Sequence, residues 1–195
     1  MRVLVIFCHP SPGSFNAALH QRVLEALRQR GHEVDDCDLY AEGFDPVLRA
    51  DHLATYHEVP ANRAPVQGYV ERLQRAEALV FVFPVWNFGL PAMLKGFFDR
   101  VLLPGVSFDM SDPRRIRPGL THLRHVVGVA TYGAPRWRIW WLGDGPRAII
   151  KRVMRRLTDG RARVEYLPLY HLNVAGRESC SAFLQRVGAA MGRIA

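Results

Sequence analysis

Short apolar runs alternate with longer stretches of helical spacing along this chain. Residues 3–7 are continuously apolar and run into a turn-rich stretch, His9-Pro10-Ser11-Pro12-Gly13-Ser14. Leu19, Val23, Ala26 and Leu27 then recur at i, i+4, i+7 and i+8, with Gly31 where a helix ends. Residues 32–40 read as a more polar strand, of the kind found at a sheet edge. Residues 78–83, 126–130 and 164–169 read as three further strands. Helices are predicted over 69–76, after Pro91 (Met93, Leu94, Phe97, Phe98, Val101), after Asp144-Gly145-Pro146 (Ile149, Ile150, Val153, Met154, Leu157), and at the end (Phe183, Val187, Ala190, Met191, Ile194). Pro91 is expected at the first helical position. Residues 41–65 lack periodicity and are expected to form a long connection with one short helix.

Five strands alternating with helices predict an α/β fold, a parallel sheet covered on both faces. Right-handed crossovers leave few ways to wind it. Ligands of such sheets sit beyond the carboxyl ends of the strands. That places three loops at the functional edge: 9–16, 84–91 and 131–143. No repeat or linker divides the chain, so residues 1–195 are expected to form a single domain.

Composition narrows the picture. A chain of 195 residues, 49% hydrophobic and 23% charged, is long enough to bury a core and is not of the disordered type. Its longest apolar run, residues 78–86, contains Pro84 and falls short of the roughly 20 residues a membrane helix needs. The N-terminus MRVLVIFCHP has no small-residue cleavage site, so no export signal is expected and a cytoplasmic address is. Net charge is +8, and arginine supplies every cation except Lys95 and Lys151. Such a balance favours anionic ligands, phosphate above all. No nucleic-acid-binding signature accompanies it, so nucleic acid is not an expected partner. Cys8, Cys37 and Cys180 show no paired spacing and read as reduced thiols. His122 with His125, and His52 with His57, lack a third ligand at metal spacing, so no metal is expected.

Each loop offers its own chemistry. The first runs from strand to helix, and a helix N-terminus presents free N–H groups and partial positive charge to an anion. Ser11, Ser14 and Asn16 add polar groups there, although Ser14 as a plain helix cap explains part of the pattern. In the second loop Trp86 and Phe88 are either a flat platform for a planar ligand or two core rings beneath a helix. Lys95 and Asp99 have the spacing of an ordinary helical ion pair. The third loop, Thr131-Tyr132-Gly133-Ala134-Pro135, opens into Trp137, Arg138, Trp140 and Trp141. Arg147, Lys151, Arg152, Arg155 and Arg156 crowd the next helix, and a solvated basic face is their simplest reading.

These residues resemble the flavodoxin-like NAD(P)H:quinone oxidoreductases, the DT-diaphorase-like family. His9, Ser14, Phe15 and Asn16 match its first-loop motif. The stretch Phe83-Pro84 through Phe88-Gly89-Leu90-Pro91-Ala92-Met93-Leu94-Lys95-Gly96 to Asp99-Arg100-Val101 matches its second almost position by position. The resemblance implies a five-stranded sheet in the order 2-1-3-4-5 and a bound flavin, FAD or FMN, with FAD favoured on the first-loop match. It implies that His9, Ser11, Ser14, Phe15 and Asn16 hold the phosphate, that Pro84, Val85, Trp86, Asn87 and Phe88 lie along the ring system, and that Thr131, Tyr132, Gly133 and Ala134 approach its far edge. Trp86, Phe88 and Trp137 would meet substrate, and Tyr132 is the one side chain with a tentative catalytic role. Hydride would pass from NAD(P)H through flavin N5 to a quinone by a ping-pong mechanism, in a homodimer.

Two departures stand out. Asn87 replaces a second aromatic residue and instead resembles the Pro-x-Tyr-Asn-Phe of FMN-dependent azoreductases. Leu142 stands where relatives carry a histidine before Gly-Asp, removing a proton relay. A regulatory subunit of a potassium-efflux system, docking a membrane transporter through the arginine-rich face, is an alternative function. An azoreductase or FMN reductase is another. A one-electron carrier is a third, disfavoured because such carriers are acidic.

Overall fold

The computed structural model describes residues 1–112 and 114–195. The chain begins with β1 (Arg2–Phe7), α1 (Phe15–Gln29) and β2 (Glu33–Asp38). A long connection then holds α2 (Ala50–Ala54) and a 3-10 turn at Ala61–Val66. Next come α3 (Gln67–Arg75), β3 (Ala78–Val85) and α4 (Ala92–Val101), followed by a hairpin of β4 (Phe108–Asp109) and β5 (Arg117–Pro118). After β6 (His125–Tyr132) and α5 (Arg136–Trp141) comes one helical run: α6 (Gly145–Ala148), a π-helical turn (Ile149–Val153) and α7 (Met154–Leu157). β7 (Arg163–Leu169) and α8 (Arg177–Met191) complete the order.

The main sheet is parallel throughout and runs β2-β1-β3-β6-β7, which is 2-1-3-4-5 counting only its own strands. This is the flavodoxin-like order expected from the resemblance. Side chains leave a strand on alternate faces, and the core divides accordingly. Val3, Val5 and Phe7 of β1 join Val80 and Val82 of β3 against α1 and α8. Leu4, Ile6, Leu79, Phe81 and Phe83 face the other way, onto α3 and α4. Both faces are therefore dry, which is why β3 reads as an unbroken apolar run. Fully burying each such side chain contributes about 1.5–3 kcal/mol.

The two sheet edges are protected differently. β2 carries Glu33, Asp35, Asp36 and Asp38, charges that discourage another strand from pairing. On β7 two carbonyls are occupied by cationic side chains: Lys151 Nζ donates to Val164 O at 2.9 Å and Arg186 Nη2 to Pro168 O at 2.7 Å. Cys8 and Cys37 are in the core, and burial pushes the Cys8 thiol up to about 12, so it stays protonated.

Several sequence expectations change in detail. The edge strand is shorter than 32–40, ending at Asp38 where Tyr40 and Ala41 N–H groups bond the Asp38 carboxylate in a turn. β3 and β6 run on to Val85 and Tyr132 because each continues to pair with the other. Pro91 is the N-cap of α4, in extended geometry, and Ala92 is the first helical residue. The β4–β5 hairpin and α5 have no counterpart in the expected elements.

The connection after β2 is tied to α4. Arg100 is buried, donates to the Asp45 carbonyl oxygen, and lies 5.7 Å from the Phe44 ring centre. Gly96, one turn earlier, faces Pro46 so closely that an added Cβ would collide with its backbone and ring. The Gly96 and Arg100 positions of the matched motif thus hold a crossing chain against the helix. Gly96→Ala is expected to destabilise the fold by about 1–3 kcal/mol through overpacking, read as a lower urea midpoint at unchanged slope.

Candidate active site

The carboxyl ends of β1, β3 and β6 lie side by side, and their three following loops meet. Two contacts join them directly. Asn16 Nδ2, in the first turn of α1, donates to Thr131 Oγ1 at the end of β6, at 2.9 Å, with both residues buried. The His9 ring stands 5.7 Å from the Trp86 ring, tilted by 59°.

The first loop is wound tightly onto α1. Ser14 is the N-cap, its Oγ accepting from Ala17 N at 3.1 Å, as expected. The Ser11 N–H donates to His9 Nδ1 at 3.0 Å, which folds the imidazole over the loop. No acidic residue occupies the first turn of α1, so the positive end of this 15-residue helix is uncompensated. The buried Asn16 Oδ1 has no hydrogen-bond partner. A buried acceptor left open in this way costs free energy unless a ligand or water supplies a donor.

The second loop is a two-residue turn. Trp86 N–H bonds Gly89 O at 3.2 Å and Gly89 N–H bonds Trp86 O at 2.9 Å. Asn87 and Phe88 between them have φ of 47° and 63°, the positive values of a type I′ turn. Asparagine tolerates that region and phenylalanine does so only at a cost, of order 1–3 kcal/mol. The departure at Asn87 thus has a backbone reason. Trp86 and Phe88 are 42% and 46% exposed, so they are not core rings. Lys95 and Asp99 pair on the helix beyond, at 2.7 Å.

In the third loop Gly133 and Ala134 are accessible, while Thr131 and Tyr132 are buried. The Tyr132 hydroxyl donates to Asp144 Oδ1 at 2.6 Å and meets the Tyr166 hydroxyl at 2.5 Å. Burial, with Tyr166 and Asp144 adjacent, pushes its pKa far above the ordinary 10.0. A fourth segment, following β7, closes this side. His171 N–H bonds Ala134 O at 3.1 Å, and a Cβ on Gly133 would stand 2.9 Å from the Asn173 amide. Asn173, Arg138 and Ile139 join Val85, Phe88 and Gly133 around an open cavity of about 270 Å³.

A sequence profile described as flavodoxin-like fold matches residues 1–159. The chain belongs to the flavodoxin-like-fold family. It is 34% identical over 181 residues to the ribosyldihydronicotinamide dehydrogenase-like protein traD of Penicillium crustosum, covering 82% of this chain and 67% of that one. It is 32% identical over 123 residues to NAD(P)H dehydrogenase [quinone] 1 of Rattus norvegicus, covering 55% of this chain and 45% of that protein. The chain spans about half the length of most such relatives. Among solved structures, the NAD(P)H:quinone oxidoreductase from Methanothermobacter marburgensis superposes with a TM-score of 0.85 at 24% identity, over 100% of this chain and 99% of that one, a likeness of fold.

In this flavodoxin-like frame the expected residues are gathered at one edge. Ser11, Ser14, Phe15 and Asn16 form the start of α1 with His9 beside them, Pro84 to Phe88 the second rim, and Thr131 to Ala134 the third. Trp137 is 66% exposed on α5, its ring 5.3 Å from the Arg138 guanidinium. Leu142 is exposed at the end of that helix. The hydroxyl of Tyr132, the side chain with an expected catalytic role, is hydrogen-bonded to Asp144 and Tyr166. The expected residues omitted Asn173 and Asp144. Asn173 was reachable by noting that β7 ends at the same edge, whereas the Tyr132–Asp144 bond has no signature in spacing. Among the described residues no group of three metal-ligating side chains occurs, and no helix is long and apolar enough to cross a membrane.

The Tyr132 bonds are expected to matter for stability. Tyr132→Phe should cost about 1–3 kcal/mol, because Asp144 and Tyr166 lose a buried partner. A raised pKa in the fold makes the stabilisation complete below pH 10 and lost progressively as pH rises above the ordinary value of 10.0. Urea denaturation of both proteins between pH 7 and 11 should show their difference shrinking above pH 10.

Proposed function

We propose that this chain is a flavin-dependent NAD(P)H oxidoreductase that reduces quinones or similar planar acceptors. The observation that carries the reading is the convergence of an uncompensated helix N-terminus, an open buried acceptor at Asn16 and two exposed rings at the end of one parallel sheet. The names of the traD and rat relatives point to the same chemistry. The residues present fit a flavin. Its phosphate suits the free N–H groups and the Ser11 and Ser14 hydroxyls, and a ribityl hydroxyl is the kind of donor that Asn16 Oδ1 lacks. FAD is favoured over FMN on the His9 and Ser14-Phe15-Asn16 match.

When bound, the flavin supplies two-electron transfer between donor and acceptor. The chain's own residues orient the reactants. Trp86 and Phe88 present ring faces on which a nicotinamide and then a quinone stack, one after the other, which is the ping-pong order. The backbone N–H groups at Gly133 and Ala134, in the third loop, would stabilise the negative charge that a bound flavin gathers on reduction. Asp144 and Tyr166 hold Tyr132, which fixes the third loop and takes no proton from substrate. The exposed rings of Trp137 and Trp141, one turn apart on α5, are an apolar face on which a second copy of the chain would close the cavity, giving a homodimer.

The visible spectrum of the purified protein tests this first. A yellow protein bleached by NADPH without oxygen, and recoloured by a quinone, is the expected result. A colourless protein that takes up neither FAD nor FMN overturns the reading. Trp86→Ala is expected to lower quinone kcat/KM by roughly tenfold or more, the loss of one stacked ring pair, with little change in urea midpoint because the ring is exposed.

A further inference from the structure

A concavity larger than the cavity of the candidate active site lies beside it. It is a groove of about 1200 Å³ on the other side of α5, between that helix and the helical run that follows. Arg136, Arg147, Lys151, Arg152, Arg155 and Arg156 line it. Among the described residues none of these six forms an ion pair with a carboxylate. From Gly145 to Thr158 the run contains five cations and no Asp or Glu. Arg147, Lys151 and Arg155 succeed one another at i+4, as do Arg152 and Arg156. Like charges at this spacing destabilise a helix, by roughly 0.2–0.5 kcal/mol per pair, so the arrangement works against the fold in the absence of an anion. Asp144 and Asp159, at the two ends of the run, also line the groove, but among the described residues neither forms an ion pair with these cations.

Two further features separate the groove from a merely basic surface. Lys151 and Arg152 sit on the π-helical turn Ile149–Val153, a geometry that re-aims side chains and concentrates at functional sites. Aromatic rings share the walls: Trp140, which is 79% exposed, and Tyr170. Rings beside a cluster of arginines recognise a base together with phosphate groups. The groove also adjoins the cavity of the candidate active site. Asp144 lines it while accepting the Tyr132 hydroxyl, and Trp140 lies on the helix whose Arg138 and Ile139 line that cavity.

We propose that this groove binds a phosphate-rich nucleotide. It receives the adenylate end of the hydride donor and selects the donor form that carries the extra phosphate on its ribose. The identity of the donor rests on the oxidoreductase reading above; the nucleotide site does not, since binding needs no electron transfer.

Calorimetric titration of the full chain with adenosine 2′,5′-bisphosphate and with adenosine 5′-monophosphate tests the site. The bisphosphate is expected to bind roughly tenfold or more tightly, the worth of one charge-assisted phosphate contact. The variant R152Q/R156Q should lose that preference and, without nucleotide, melt at the same temperature or higher because a like-charged pair is gone. R30Q, which removes a surface arginine remote in sequence from the groove, should keep the preference. With flavin added, the ratio of KM for NADPH to that for NADH should rise in R152Q/R156Q. Equal binding of the two nucleotides, or a preference that survives R152Q/R156Q, overturns the proposal. So does loss of the preference in R30Q, which would make it a matter of net charge. A chain that binds the bisphosphate as expected but bleaches with neither donor leaves the groove standing and removes the oxidoreductase reading.

Discussion

Everything at the candidate site depends on three parallel strands ending together. The ladder keeps Phe7 opposite Val82, Pro84 opposite Thr131 and Val85 opposite Tyr132, so the loops after β1, β3 and β6 leave the sheet side by side. A one-residue slip in β3 would put Leu79, Phe81 and Phe83 on the wrong face, and burial on both faces forbids it. Hydrophobic burial thereby sets register, and register sets which polar groups face one another beyond the sheet. The Asn16–Thr131 bond is the first consequence, since it joins a helix start to a strand end more than a hundred residues away.

Within that frame each loop is held by local means suited to its task. Ser14 caps α1 and leaves the remaining N–H groups of the first turn available. The Trp86–Gly89 turn uses two positive φ angles to stand both rings outward, at the expense of backbone strain in Phe88. Tyr132, Asp144 and Tyr166 form a buried polar chain under the third loop, where a missing member would leave the others unpaired. Rigid support beneath and exposed groups above are what a stacked reactant requires, because misplacement of a ring by a fraction of its thickness weakens every contact it makes.

Much of this was legible from the chain. Continuous apolar runs marked β1, β3 and β6, since strands buried on both faces carry no polar alternation, and the acidic β2 read as an edge. The first and second loops were legible because turn, cap and aromatic residues occupy fixed offsets from the strands. What escaped has physical reasons. The β4–β5 hairpin has two residues per strand, too few for any period. α5 is six residues, two Arg, three Trp and Ile139, with no apolar stripe, and only Ile139 is buried. The close approach of Asn173 to Gly133, and of Pro46 to Gly96, depends on chain crossings that no local pattern encodes. Whether Trp86 and Phe88 were core or surface was open in the sequence because rings of either kind follow a strand equally well; the two-residue turn decides it.

The distribution of charge follows from the same topology. Sheet order places β2 and β7 at opposite edges, so the carboxylates of one lie far from the cations that gather around the other. Arg72 partly neutralises the acidic edge through Asp35 and Glu42, at 2.7 and 2.8 Å. In the groove Asp144 and Asp159 form no such ion pair among the described residues. The strained Phe88 and the unpaired arginines of the groove both work against stability, and they flank α5 on its two sides. Both are offset by the dry core beneath the sheet, which loses nothing if either is relaxed. A fold gains nothing by keeping strain and repulsion where its core does not need them, so their position beside the open end of the sheet is an argument that ligands, not packing, account for them.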